Sequence, residues 1–83
     1  MTQNEIECFL SICRYKTISR AAKALYITQP SLSARLKTLE KELGGALFHR
    51  GKGYRELRLT SAGEQFYQLA LEYETLTKQM LNV

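Results

Sequence analysis

Gln29, Ser31, Ser33 and Ala34 fall within one run of six residues. Their side chains match the groups that a base pair shows in the major groove of DNA. A glutamine can make paired hydrogen bonds to an adenine edge, a serine can bond either kind of base edge, and an alanine can touch a thymine methyl. All are neutral and most are short, so a helix carrying them can come close to a surface. Lys37 and Lys41 follow one and two turns later, where an ammonium group can reach phosphates. Ordinary polar residues on the outside of a capped helix would give the same composition. The choice depends on the elements that hold these positions.

Other chemistries lack their residues. His49 is the only histidine and there is no aspartate, and no nucleophile sits in a recognisable constellation. Cys8 and Cys13 are five apart, which is neither a metal-ligand nor a redox-pair spacing. They read as small buried or half-buried thiols on different faces of a helix. The expectation is a protein that is not an enzyme and has no catalytic residue, metal or cofactor.

Charge is unevenly spread. The 83 residues carry a net charge of +4. From Arg14 to Arg58 there are eleven Lys or Arg against three Glu, a local sum of +8, while the flanks hold Lys78 against five Glu, a sum of −4. A basic middle between acidic ends is the electrostatic footprint of a polyanion-binding surface. No apolar run is longer than Ala24 to Ile27, too short to span a membrane. Met1 is followed by the polar Thr2, Gln3 and Asn4, which is not a signal peptide. A cytoplasmic chain is expected, with no membrane partner.

The elements follow from caps and stripes. Thr2 and Glu5 have capping-box spacing, so a helix should start at Gln3, with Ile6, Phe9, Leu10 and Cys13 as its apolar stripe. Thr17 can cap a second helix whose stripe is Ile18, Ala21, Ala22 and Leu25; its two alanines let another helix cross closely. Tyr26 and Ile27 make a short turn. Thr28 can cap a third helix, with Pro30 in the first turn, where its missing N–H costs nothing, and with Gly44 as the stop. At roughly 100° per residue, Leu32, Leu36, Leu39 and Leu43 point inward. Pro30, Ala34, Lys37 and Lys41 point nearly opposite, and Gln29, Ser31, Ser33 and Arg35 flank them. The third helix is thus shaped to enter a major groove by its N-terminal end.

Beyond Gly44, Gly51, Lys52 and Gly53 signal a turn, and Leu57 and Leu59 alternate around Arg58. A small hairpin with a basic tip is expected. Thr60 or Ser61 can cap a last helix, Ser61 and Glu64 having capping-box spacing. Along that helix Phe66, Leu69, Tyr73, Leu76, Met80 and Val83 are spaced alternately three and four apart, a seam of seven-residue period suited to another helix.

Taken in order, "FLSICRYKTISRAAKAL", "TQPSLSARLKTLEKELG", "LFHR" and "LTSAG" resemble the N-terminal domain of LysR-type transcriptional regulators across nearly all of residues 5–63. Lys16, Thr17 and Ile18 stand where the family usually has Gly-Ser-Phe, and the wing between Arg50 and Leu59 is longer than the commonest family form. The resemblance implies a mainly α, winged helix-turn-helix fold: three helices and a short β-hairpin wing, then a long C-terminal linker helix. Residues 1–59 would form the DNA-binding domain, with the helix-turn-helix at about 18–37 and the wing at about 46–59. Residues 60–83 would form a dimerisation helix that stops before a missing effector-binding domain.

The resemblance further implies a bacterial regulator that binds double-stranded DNA. Its DNA-facing positions would be Thr28, Gln29, Pro30, Ser31, Ser33, Ala34 and Lys37. Arg50, Lys52 and Arg55 would lie along the backbone or in the minor groove. A homodimer would form through Phe66, Leu69, Tyr73, Leu76 and Met80 with the two linker helices antiparallel, a tetramer is admitted for the full-length protein, and a small-molecule effector would act only through the absent domain. Two other readings fit the charge pattern: an interaction module with an acidic partner, and a different winged-helix family with its dimer contact elsewhere.

Overall fold

The computed structural model describes residues 1–50 and 56–83. Four helices enclose one core: α1 (Gln3–Tyr15), α2 (Ile18–Ala24), α3 (Gln29–Leu43) and α4 (Ser61–Leu81). Between α3 and α4 lie two short strands, β1 (Phe48–His49) and β2 (Arg58–Leu59), paired antiparallel with Phe48 opposite Leu59 and His49 opposite Arg58. This is the winged helix-turn-helix expected. The hairpin tip, with Gly51, Lys52, Gly53, Tyr54 and Arg55, lies outside the described residues.

The caps form where the sequence sets them. The Thr2 hydroxyl accepts from the Glu5 N–H while the Glu5 carboxylate accepts from the Thr2 N–H, a closed capping box. Thr17 and Thr28 accept from the N–H groups of Arg20 and Ser31. Each satisfies a donor that the first turn of a helix cannot pair internally. Gly44 ends α3 at φ 81°, in the left-handed region where a Cβ is costly.

Phe9 is the centre of the core. It is fully buried, edge-on to Phe66 at 4.9 Å between ring centroids and tilted on Phe48 at 5.4 Å. Ile12, Leu32, Leu36, Leu39 and Leu47 complete the interior. Each such side chain contributes about 1.5–3 kcal/mol by leaving water. Ala21 and Ala22 are buried at the crossing of α2 with its neighbours, as their size allows.

One expectation needs correction. Leu43 is 41% exposed rather than inward, because α3 outruns the core by one turn after Leu39. Of the two candidate caps of α4, Thr60 is the one that forms. Its hydroxyl accepts from the Gly63 N–H and also donates to the Ala46 carbonyl at 2.7 Å, a tertiary bond that Ser61, already in the helix, does not make.

Candidate nucleic-acid interface

The exposed side of α3 begins at its cap. Thr28, Gln29, Pro30, Ala34, Lys37 and Lys41 are exposed, whereas Ser31 and Ser33 are half-buried along the flanks. The structure therefore brings Thr28, Gln29, Pro30, Ala34 and Lys37 onto one open face, with the two serines at its margins. The opposite side is occupied by Leu32, Leu36 and Leu39, so this face cannot turn inward without emptying the core.

The third flanking residue, Arg35, faces the body of the domain. Its guanidinium donates to Asn4 Oδ1 at 2.8 Å and lies 3.9 Å from the buried Cys8 Sγ. It ties α3 to the start of α1. Thr38 Oγ1 donates to the Ala34 carbonyl one turn back, at 3.0 Å. These bonds leave Gln29 and Lys37 as the long polar side chains at the front of the helix.

Glu40 joins this helix to the wing, and no local sequence signal marks it. Its carboxylate accepts from the Leu47 N–H at 2.7 Å and from the Arg50 guanidinium at 2.5 Å. The backbone carbonyl of Glu40 also accepts from Gly44 and Gly45. One residue thus holds the end of α3, the turn after it and the root of the wing. Arg50 is fixed beside α3 with part of its side chain still open to solvent. Lys52 and Arg55, expected to be the basic wing residues, lie outside the described residues. Around the bend before α2, the Lys16 carbonyl accepts from the Leu57 N–H at 2.9 Å, so the second wing strand is anchored to the end of α1. Arg14 is within 4.0 Å of Glu74 on α4.

The linker helix divides in two. Gly63 and Ala70 are buried, and Phe66 is half-buried against Phe9. Beyond Ala70 no α4 residue is buried. Of the expected seam, Phe66 is largely committed to its own core, while Leu69, Tyr73, Leu76 and Met80 remain exposed, Leu69 and Met80 by more than 60%.

No group of three or more potential metal ligands is found among the described residues. Cys13 is half-buried, and desolvation pushes its thiol up to about 12, so the reactive thiolate is scarce at neutral pH. Among the described residues no helix is long and apolar enough to cross a membrane.

Comparison with known proteins agrees with this geometry. Residues 3–64 match the family described as "Bacterial regulatory helix-turn-helix protein, lysR family". The HTH-type transcriptional regulator YtlI of Bacillus subtilis (strain 168) is 40% identical over 80 residues, covering 92% of this chain and 25% of its own length. The regulator BudR of Klebsiella aerogenes is 44% identical over 73 residues, covering 88% of this chain and 50% of its own. The chain therefore spans a quarter to a half of these two relatives. Among solved structures, the DNA-binding domain of BenM in complex with benA site 1 DNA superposes with a TM-score of 0.93 at 33% identity, covering 99% of this chain and 93% of that one. A complex of the CbnR DNA-binding domain with DNA gives 0.89 at 27% identity, covering 99% and 92%.

Proposed function

The chain belongs to the lysR family of bacterial regulatory helix-turn-helix proteins, and from that premise we propose that it binds double-stranded DNA as the DNA-binding domain of a transcriptional regulator. The observation that carries the reading is the open face of α3, where Thr28, Gln29, Pro30, Ala34 and Lys37 stand clear of the core on a rigid, capped helix. The folds of BenM and CbnR domains described with DNA support it.

In this reading α3 enters the major groove by its N-terminus. Gln29 reads a base edge by paired hydrogen bonds, Ser31 and Ser33 bond base edges or nearby phosphates, and Ala34 and Pro30 make apolar contact. Lys37 and the Thr28 cap meet the backbone. Arg50, Lys52 and Arg55 of the wing lie along the backbone or in the minor groove, and residues 1–59 act as one DNA-binding unit. Residues 60–83 pair with a second copy through Leu69, Tyr73, Leu76 and Met80, with Phe66 at the root. Burying that seam gives a reason for the far half of α4 to stay helical. A two-fold pair presents two copies of α3 and predicts an inverted-repeat site. Effector sensing and any tetramer belong to the longer regulator, acting in the cytoplasm where the DNA is.

The test is a titration of a labelled duplex across salt concentrations. If about five cations per subunit neutralise phosphates, log affinity falls against log salt with a slope of roughly −4 to −5 per subunit. A slope near zero overturns DNA binding in favour of a protein partner or none.

A further inference from the structure

The turn between α2 and α3 holds a residue in a conformation that does not suit it. The Ile27 N–H donates to the Ala22 carbonyl at 3.0 Å and the Tyr26 N–H donates to the Lys23 carbonyl at 3.2 Å. With Leu25 as the C-cap, these are the paired bonds of a Schellman motif. The motif needs its next residue in the left-handed region, a place usually taken by glycine because a Cβ is disfavoured there. Here that residue is Tyr26, at φ 57°. An aromatic residue in this region is a conformational outlier, and such outliers cluster where a segment has a task beyond folding.

The ring gives its own domain nothing in return, because Tyr26 is 95% exposed. Lys16 is the other non-glycine residue at positive φ among the described residues, and its case differs. Its carbonyl receives the Leu57 N–H, so that bend has a structural purpose in anchoring the wing. The turn at Tyr26 would be made at least as well by glycine or asparagine. The phenol stands two residues before Thr28, at the N-terminal rim of the α3 face. A tyrosine hydroxyl is a recognised donor to DNA phosphates.

We propose that Tyr26 is a DNA-contacting residue, its hydroxyl donating to a phosphate of the strand bordering the groove that α3 enters and its ring lying against the adjoining deoxyribose. This rests on the reading of α3 as the groove-entering helix. The contact positions the helix and does not read sequence. Because the phenol is neutral, it releases no counterion and does not change the salt slope.

The experiment uses Tyr26→Gly, Tyr26→Asn and Tyr26→Phe, with melting temperature and binding measured on a duplex selected from random sequence and on an unselected random duplex. Glycine and asparagine relieve the backbone, so these variants should melt at or above the parent temperature. They should bind both duplexes about three- to tenfold more weakly, the range of one hydrogen bond with its ring contact, at unchanged salt slope. Tyr26→Phe should show a smaller loss on both. Stable glycine and asparagine variants that bind both duplexes like the parent would overturn the proposal. A loss confined to the selected duplex would also overturn it, since it would make Tyr26 a base reader. A parent chain that bound neither duplex would refute DNA binding itself, a failure visible before any variant is made.

Discussion

α3 and α4 are both long amphipathic helices, yet they leave opposite kinds of surface in water. α3 buries Leu32, Leu36 and Leu39 and shows solvent a short, polar and then basic face. α4 buries only Gly63 and Ala70 and shows solvent Leu69, Tyr73, Leu76, Met80 and Leu81. A domain folding for itself would reverse the second pattern. An exposed polar helix front suits a hydrated, charged partner that must be approached closely. An exposed apolar seam suits a partner that shares its need to leave water. The contrast supports the proposal that puts DNA at one helix and a second copy of the chain at the other.

The strongest way to break that comparison is to charge the seam. Replacing Leu69, Leu76 and Met80 together by Glu should leave the domain folded, reduce the mass measured by light scattering to that of a monomer, and weaken binding to a two-half-site duplex about a hundredfold or more through lost multivalency. Single half-site binding should persist. A variant that stays dimeric would place the interface elsewhere.

The next effect concerns the near half of α4. A Cβ built on Gly63 would lie 2.0 Å from the Leu47 carbonyl oxygen and 3.0 Å from a Leu59 methyl carbon. The oxygen belongs to the backbone and cannot simply swing aside. Gly63→Ala should destabilise the fold by about 3 kcal/mol in urea unfolding, the upper range of overpacking. Unchanged stability would mean that α4 can shift at its root, and the division of the helix into a docked half and a free half would fail.

The smallest effects sharpen the α3 side. Gln29→Ala should cost about 1–3 kcal/mol on the preferred site and relax preference at one base pair. Lys37→Ala should weaken selected and random duplexes alike and reduce the salt slope by about one. Selection from random DNA followed by titration distinguishes the two. Equal losses on all sequences for both variants would remove Gln29 from base reading.

Much of this was legible because it is local. Thr2, Thr17 and Thr28 cap their helices through bonds that span three residues, and a residue pattern of that length is visible in any sequence. The leucine stripe of α3 was equally plain up to Leu39. It failed at Leu43 because periodicity continues to the end of a helix whether or not the core does. At the start of α4 two hydroxyls competed, and Thr60 prevailed through a bond to Ala46 that lies 14 residues away in the chain. Glu40 and Arg35 were hidden for the same reason. Their partners Arg50 and Asn4 are 10 and 31 residues distant and meet only after the chain has folded. Tyr26 could be placed in a turn but not in the left-handed region, since the sequence there has no glycine to announce it.

Thr60 has a consequence that reaches well beyond its own bonds. Its hydroxyl caps α4 by receiving the Gly63 N–H and also donates to the Ala46 carbonyl, while its N–H donates to the Leu47 carbonyl, so the root of α4 is clamped at two points to the segment that leads into β1. From Ala70 to Leu81 the helix then runs on for about 17 Å with no residue beyond Ala70 fully buried, steadied by Leu71 against the core and by Glu74 near Arg14 on α1. Any change of angle at the clamp grows along that arm, so a tilt of about 10° moves its far end by roughly 3 Å, close to the rise of one base pair. In the proposed dimer, the stiffness of this two-bond hinge beside the wing would therefore set the tolerance with which the paired molecule measures the distance between two half-sites.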